Sequence, residues 1–225
     1  MHEVEAAVAH PAATVVLLRD RGTECEVLLV RRSAALSFHG GAWVFPGGRL
    51  DPADYTAVAG DVLTAARRAA VRETHEEAGL IVPLDALVLV SRWITPRPLP
   101  KRFDTWFFAG PGDDAPVRVD GREIHAHRWM TPSAALAAQR AGEIELPPPT
   151  FVTITRLAEY RHAAAALAAF SRGPAETFEP RLVPCEGGAV TLYAGDAGYA
   201  DGDFERSGPR HRLWIRDDGW RYERG

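Results

Sequence analysis

Cysteine, lysine and long apolar stretches are all scarce in this chain of 225 residues. The two cysteines, Cys25 and Cys185, are far apart and belong to no CxxC pair or His/Cys cluster. Neither a zinc ribbon nor a disulfide framework is therefore indicated, and both thiols are predicted to be reduced, as in a cytoplasmic protein. Lys101 is the only lysine among 26 Lys and Arg residues, which we attribute to genomic base composition.

The sequence also lacks the features of membrane and nucleic-acid binding proteins. No apolar run reaches the roughly 18 residues of a transmembrane helix, and the start MHEVEAAVAHPAAT has neither region of a signal peptide. A formal net charge of -4 argues against a general partner among nucleic acids or anionic membranes. With 46% hydrophobic and 25% charged residues, the composition predicts a globular protein, which we place in the cytoplasm.

Apolar runs rich in β-branched residues, separated by Gly, Pro and Asp, predict many short strands. The strands are predicted at residues 13–20, 25–33, 42–45, 86–94, 102–110 and 125–130. Helical patterns follow at 132–142 and, as one longer helix, at 150–170. The tail from 171 to 225 contains strand-like pieces, and its RDDGW segment indicates a hairpin turn.

The segment VLTAARRAAVRETHEEA predicts a helix of about four to five turns. Asp61 precedes it as an N-cap, and Gly79 follows it in the C′ position. At about 100° per residue, one apolar sector of the helix contains Val62, Leu63, Ala66, Ala69 and Ala70. Glu73, Glu76 and Glu77 project into nearly the same sector, so their carboxylates are predicted to face the protein interior.

Three carboxylates within one helical turn repel one another and lose hydration when they face protein, unless protons or a cation neutralise them. A divalent cation is the natural partner, and oxygen ligands suit Mg²⁺ or Mn²⁺, which also bind substrate phosphates. The glutamates alone leave one alternative open. It is a solvated acidic helix end that pairs with Arg68 or Arg72 through i,i+4 contacts.

A family resemblance is carried by the glycines at 47–48, by Asp51 and Asp54, and by the run RETHEEAGL at 72–80. Together they resemble the signature of the Nudix hydrolases. That signature has a glycine, five residues and a glutamate, then seven residues and Arg-Glu-aliphatic-any-Glu-Glu-any-Gly-aliphatic. The matching residues of this chain are Gly48, Arg72, Glu73, Glu76, Glu77, Gly79 and Leu80. Thr74 stands where an aliphatic residue is usual.

The first half of the signature departs from this pattern. The position six residues after Gly48 is Asp54 instead of glutamate, and seventeen residues instead of seven separate Asp54 from Arg72. An insertion of ten residues is expected to lengthen the loop before the helix or to add a turn to it. The role of Asp54 is left undecided.

Three downstream segments, RWITP, KRFDTWFF and ELPPPT, resemble the peroxisomal coenzyme A diphosphatase branch and its bacterial relatives. The resemblance covers residues 13–170 and implies an α/β/α sandwich with a mixed, curved sheet between helices. Residues 1–12 are then a loose N-terminus, and 171–225 a β-rich C-terminal extension packed on the same domain. Two roles stay open for this extension: covering the substrate cleft, or pairing with a second subunit in a homodimer.

The function implied by the resemblance is metal-dependent cleavage of the diphosphate bridge in a nucleoside diphosphate linked to another moiety. Coenzyme A or a derivative is the first substrate class, and ADP-ribose or a dinucleotide is the second. A different alternative is a Nudix-like module that senses nucleotides without cleaving them. It is disfavoured because such modules are expected to lose a metal glutamate or to carry a DNA-binding domain, whereas this chain keeps all three glutamates.

The same resemblance implies roles for individual residues. Glu76 and Glu77 bind Mg²⁺ or Mn²⁺ directly, and Glu73 binds metal or accepts the proton of the attacking water. Arg72 holds a glutamate in its rotamer through a bidentate contact. Gly48 lets the backbone approach the metal site and offers a carbonyl ligand.

Further candidates lie outside the signature. Glu123 is our candidate for an additional carboxylate that acts as general base, against the alternative of a solvated charge at a strand edge. Arg97, Lys101 and Arg102 form a basic cluster suited to substrate phosphates, unless it is simply a solvated loop. His75 is predicted to point away from the glutamates and into solvent.

Overall fold

A computed structural model describes residues 7–36, 39–56, 61–97 and 99–225 of the chain. The chain divides into two compact units. The larger unit consists of Pro11–Arg92 and Thr105–Glu176, and the smaller one of Met1–His10, Trp93–Asp104 and Thr177–Gly225. Residues 1–6, half of the predicted loose N-terminus, lie outside the described residues. Both cysteines are unpaired, and burial raises the pKa of the Cys25 thiol to about 11.

Twelve strands run through the described residues. They are β1 (Ala9–Arg21), β2 (Glu24–Arg32), β3 (Trp43–Val44), β4 (Gly47–Arg49), β5 (Val88–Ile94), β6 (Arg102–Pro111), β7 (Ile124–Met130), β8 (Glu176–Phe178), β9 (Arg181–Cys185), β10 (Gly188–Leu192), β11 (His211–Arg216) and β12 (Gly219–Arg224). One sheet has the order β3-β2-β1-β6-β5-β8, with β4 on β1 and β7 on β2. The second sheet has the order β12-β11-β10-β9 and is antiparallel throughout.

Five α-helices occur in the same residues. They are α1 (Pro52–Tyr55), α2 (Val62–Ala78), α3 (Pro132–Arg140), α4 (Pro148–Leu157) and α5 (Ala163–Ser171). None of these described helices is long and apolar enough to cross a membrane. The caps of α2 are those predicted. The Asp61 carboxylate accepts the N–H groups of Leu63 and Thr64, and left-handed Gly79 donates to the carbonyl of His75 at 2.9 Å.

Helix α2 packs its small side chains against the sheet of the larger unit. Ala66, Ala69 and Ala70 are fully buried in one cluster with strand residues such as Leu17 and Val30. Because alanine has only a methyl side chain, the helix backbone lies close to the strands. The predicted inward apolar face of the helix is confirmed at these positions, although Val62 at its start is exposed.

The structure corrects the prediction of one helix over residues 150–170. The chain forms α4 and α5 instead, with a turn between Leu157 and Ala163. The Ala163 N–H donates to the Asp20 carboxylate on β1 at 2.7 Å, which satisfies a backbone donor at the start of α5. This contact spans 143 residues of sequence, so no local pattern predicts it.

Helix α1 and strands β8 and β9 are also absent from the sequence prediction. Helix α1 lies just before the inserted segment, where Pro52 occupies the first turn and the Asp54 carboxylate accepts the Asp51 N–H at 2.8 Å. Helix α2 itself begins ten residues before Arg72. Residues 57–60 of the insertion lie outside the described ranges. The seventeen residues between Asp54 and Arg72 therefore contain the connection from α1 to α2 and the N-terminal turns of α2.

The second sheet confirms the predicted hairpin in the tail. Strands β11 and β12 pair antiparallel up to Arg216 and Gly219, so Asp217 and Asp218 form the two-residue turn. The smaller unit also has an aromatic cluster in which the rings of Trp93 and Phe178 stack at 4.0 Å between centroids.

A buried ion pair fixes the segment between β10 and β11 in the smaller unit. The Arg212 guanidinium donates to both oxygens of Asp196 at 2.7 Å, and Asp196 also accepts the N–H groups of Gly198 and His211. Both side chains are almost completely buried. Burial opposes the ionisation of Asp196, but these four donors bring its pKa down to about 2.

We predict that Arg212→Ala lowers the free energy of unfolding by about 3–5 kcal/mol, because it leaves the Asp196 carboxylate buried without its cation. Chemical denaturation followed by circular dichroism measures the effect. Since the pKa of Asp196 is depressed in the folded state, the pair stabilises the protein above about pH 4. The difference between variant and wild type should narrow as the pH falls from about 4 to about 2.

Arg221→Ala is the matched control on the neighbouring strand. The Arg221 side chain pairs with Glu223 but is 66% exposed, so its removal should cost at most about 1 kcal/mol. Equal stability losses for the two variants would contradict a specific role of the buried pair.

Candidate active site

The C-terminal half of α2 meets the glycine turn of strand β4. Strand β4 is paired with β1, where Thr14 lies opposite Gly47, and the Thr14 hydroxyl donates to the carbonyl of Pro46 at 2.6 Å. The N–H of Gly47 donates to the Glu77 carboxylate at 2.8 Å. The turn therefore presents a backbone donor to the helix, at the point where the sequence places its acidic run.

Glu77 is a buried carboxylate with little compensating charge. Burial raises its pKa to about 8, and the negative charges of Glu73 and Glu123 add to this effect. The hydrogen bond from Gly47 and the charge of Arg32 act in the opposite direction. A carboxyl group in this position favours a proton or a cation strongly.

Glu73 lies beside Gly48, and its side chain is 16% exposed. A Cβ atom on residue 48 would overlap the Glu73 carboxylate, so any other residue there would displace that carboxylate from its present position. Burial raises the pKa of Glu73, against the favourable charge of Arg72, and the charges of Glu76 and Asp51 raise it further. Glu73 and Glu77 thus form a coupled pair that faces the backbone of residues 47–48.

Glu76 differs from the sequence prediction, because its side chain is 56% exposed. Its carboxylate accepts from Arg72 at 3.1 Å. On a helix, Glu76 lies about 60° from Glu73 and about 100° from Glu77, whereas those two lie only about 40° apart. Glu76 is therefore at the solvent edge of the sector, and only the other two carboxylates are turned inward.

Arg72 links the acidic groups of helices α1 and α2. Its guanidinium donates to Glu73 at 2.9 Å and to Asp54 at 3.0 Å, in addition to Glu76, and it also donates to the carbonyl of Arg49 at 3.0 Å. Asp54 is buried. The structure thus gives Asp54 a definite place: it anchors Arg72, which in turn fixes the rotamers of two glutamates.

Glu123 lies in the loop that leads into β7, in the same unit. Its carbonyl accepts the N–H of Ser33 at 2.7 Å, at the end of β2. The side chain is exposed, and its negative charge contributes to the raised pKa of Glu77. The charge of Glu123 therefore acts on one inward carboxylate of α2, and its role as a base stays a prediction.

Arg32 at the end of β2 is a candidate that the sequence analysis missed. Its Nε atom is buried and has no hydrogen-bond partner among the described residues, and its charge acts on both Glu77 and His39. His39 adopts a left-handed backbone with φ of 52°, which is uncommon outside glycine. The sequence ends β2 with two adjacent arginines. It gives no signal that tells which of the two turns inward, so this candidate could not be found from sequence.

The predicted phosphate-binding residues belong to the smaller unit. Arg102 is buried, and its guanidinium donates to the carbonyls of Thr95 at 3.0 Å and Ala7 at 2.7 Å. Arg97 and Lys101 are exposed, and Arg97 lies 4.0 Å from a carboxylate oxygen of Glu179. Arg102 thus has a structural role. Substrate binding by the three residues stays a prediction.

The donors at residues 47–48, Glu73 and Glu77 fit a hard divalent cation. The available ligands are carboxylate and carbonyl oxygens, and burial raises the pKa of both carboxylates, so the ionised pair is unfavourable without a cation. Within the described ranges, no three acidic, His or Cys side chains converge as a ready-made metal cage. Mg²⁺ does not require one, because it is commonly held by one or two carboxylates together with waters and substrate phosphates.

Comparisons with known proteins agree with this geometry. The profile of the NUDIX domain matches residues 8–148. A Caenorhabditis elegans protein named as a nudix hydrolase is 28% identical over 186 residues, which cover 67% of this chain and 61% of the relative. The acyl-coenzyme A diphosphatase NUDT19 of Xenopus laevis is 24% identical over 277 residues, covering 80% of this chain and 72% of that protein. The chain thus spans less than two thirds of the first relative.

A crystal structure of a NUDIX hydrolase from Alicyclobacillus acidocaldarius has a TM-score of 0.67 and 27% identity to this chain. The similarity covers 74% of this chain and 99% of the chain in that crystal structure. The predicted α/β fold, with a mixed curved sheet and flanking helices, is confirmed by this similarity. The resemblance to coenzyme A diphosphatases is confirmed by the name of the Xenopus relative. The cytoplasmic location and the homodimer stay predictions.

We predict that Asp54→Asn lowers the free energy of unfolding by about 1.5–3 kcal/mol, because it replaces a charge-assisted contact of a buried carboxylate with Arg72 by a neutral one. Denaturation curves of the variant and the wild type measure the loss. Asp51→Asn is the matched control, since Asp51 is 62% exposed and lies 3.8 Å from Arg72. Its effect should stay within about 0.5 kcal/mol. The anchoring role of Asp54 is refuted if both variants are equally stable.

Proposed function

The chain belongs to the NUDIX family, and we propose that it hydrolyses the diphosphate bridge of a nucleoside diphosphate linked to another moiety, with the help of Mg²⁺ or Mn²⁺. Coenzyme A or a derivative is the substrate class that we favour, because a relative aligned over 80% of the chain is named an acyl-coenzyme A diphosphatase. The observation that carries the proposal is the inward pair of Glu73 and Glu77 against residues 47–48.

We assign the metal to the carboxylates of Glu73 and Glu77, the carbonyl of Gly48, and Glu76 at the exposed edge. NUDIX proteins generally use divalent metal ions, and this donor set suits them. When bound, such a cation supplies positive charge against the diphosphate and acidifies the attacking water. The buried carboxylates hold it on the helix, and Arg72 keeps Glu73 and Glu76 in place.

The other residues of the site act on the substrate and the water. The charge of Arg32 acts on Glu77, and its guanidinium is suited to a phosphate oxygen of the substrate. Glu123 accepts a proton from the attacking water as the general base. The products are then two phosphorylated fragments, formed by breaking one P–O–P bond with water.

We predict that Glu77→Gln and Glu76→Gln each lower kcat/KM by at least about a hundredfold, because each removes negative charge from the metal-binding group. Turnover is measured by product mass with saturating Mg²⁺. His75→Gln is the matched control on the same helix, since His75 is exposed as predicted, and it should retain wild-type turnover. Unchanged turnover in both glutamate variants would reject the assignment of the metal ligands.

A substrate panel tests the favoured class. We expect the highest kcat/KM with coenzyme A or an acyl-coenzyme A, among these and ADP-ribose, NADH and diadenosine polyphosphates. Cleavage of coenzyme A at its diphosphate yields adenosine 3′,5′-bisphosphate and phosphopantetheine, which mass spectrometry identifies. Preference for ADP-ribose or a dinucleotide would shift the assignment to those substrates. Tight nucleotide binding without any cleavage would favour a sensing module.

A further inference from the structure

The turn at residues 120–124 is organised by one carboxylate. Oδ1 of Asp120 accepts the N–H groups of Arg122 at 3.2 Å and Ile124 at 2.9 Å, and Oδ2 accepts the N–H of Glu123 at 3.1 Å. Gly121, with φ of 70°, donates to the carbonyl of Ile124 at 3.0 Å and closes the turn. Three consecutive backbone donors thus converge on the Asp120 side chain.

This arrangement fixes the backbone of Glu123 on both sides. Its N–H is bound by Asp120, and its carbonyl is bound by the N–H of Ser33 at the end of β2. Strand β7 begins at the next residue, Ile124, which is fully buried and paired with Arg32 across a bulge in the strand register. The backbone of Glu123 is therefore held at both its N–H and its carbonyl, although its side chain is exposed.

The turn is connected through the strands to the carboxylates of α2. Arg32, the strand partner of Ile124, donates its N–H to the carbonyl of Ala42, and the chain continues through β3 to Gly47, which donates to Glu77. The charges of Arg32 and Glu123 both act on Glu77. The hydrogen bonds from the turn do not cap a helix. No other carboxylate on the described loops accepts the N–H groups of three successive residues. Asp113 in the preceding loop accepts only the N–H of Ala115, at 3.0 Å.

We propose that Asp120 is a positioning residue for the reaction: it holds the turn so that Glu123 faces the carboxylates of α2 and the attacking water. The inference rests on the proposed function and adds a residue to it. We assign Asp120 no contact with substrate, since both of its oxygens already accept hydrogen bonds from the turn. It acts only through Glu123.

The test is a double-mutant cycle of Asp120→Ala and Glu123→Gln, with kcat, KM and amide hydrogen exchange as readouts. Asp120→Ala should lower kcat about tenfold or more, a size typical of residues that orient a functional group, and change KM less than about twofold. When Asp120→Ala is combined with Glu123→Gln, kcat should fall no further, because the carboxylate through which Asp120 acts has already been removed. The amides of residues 122–124 should exchange at least about tenfold faster.

Asp113→Ala is the matched control, since it removes an aspartate that also binds a nearby backbone N–H but lies away from Glu123 in sequence. It should keep wild-type kcat and the wild-type exchange of residues 122–124. A wild-type kcat in Asp120→Ala, or losses of Asp120→Ala and Glu123→Gln that multiply in the double variant, would overturn the proposal in favour of a purely structural turn. Absence of turnover in the wild-type protein would instead overturn the proposed function, and it is observed before any substitution is made.

Discussion

The central constraint in this molecule is the burial of two neighbouring carboxylates on one helix. Glu73 and Glu77 lose most of their hydration, and in the part of the chain that the structure describes their direct donors are the N–H of Gly47 and one nitrogen of Arg72. Both pKa values are raised above the ordinary value of a glutamate, so the ionised pair is unfavourable in the protein alone. Natural proteins keep such a pair when a ligand offsets the repulsion, and oxygen donors suit a hard dication.

The rest of the larger unit keeps these two side chains inward. The alanines of α2 bring the helix against the sheet, and the pairing of β4 with β1 places the glycine turn opposite the last helical turns. A side chain on residue 48 would occupy the space of the Glu73 carboxylate and displace it. Asp54 and Arg72 then hold the acidic groups in fixed rotamers. Packing and electrostatics therefore act on the same few residues.

The parts of this arrangement that are local in sequence could be predicted. The caps of α2, its alanine face and the tail hairpin follow from patterns that span a few residues. The parts that depend on distant contacts could not. The break before Ala163 depends on Asp20, and the anchoring role of Asp54 depends on Arg72, across ten inserted residues. Helical angles placed Glu76 inward together with its neighbours, but a 60° offset is enough to move that side chain into solvent.

The most direct test is a crystal grown with Mn²⁺, in which anomalous scattering locates the ion. The account predicts a peak between Glu73 and Glu77, about 2.0–2.3 Å from an oxygen of each carboxylate and near the carbonyl of Gly48. Both side chains should keep their inward orientation. At a saturating concentration of Mn²⁺, a crystal without a peak at these oxygens would contradict the claim that a dication compensates the buried pair.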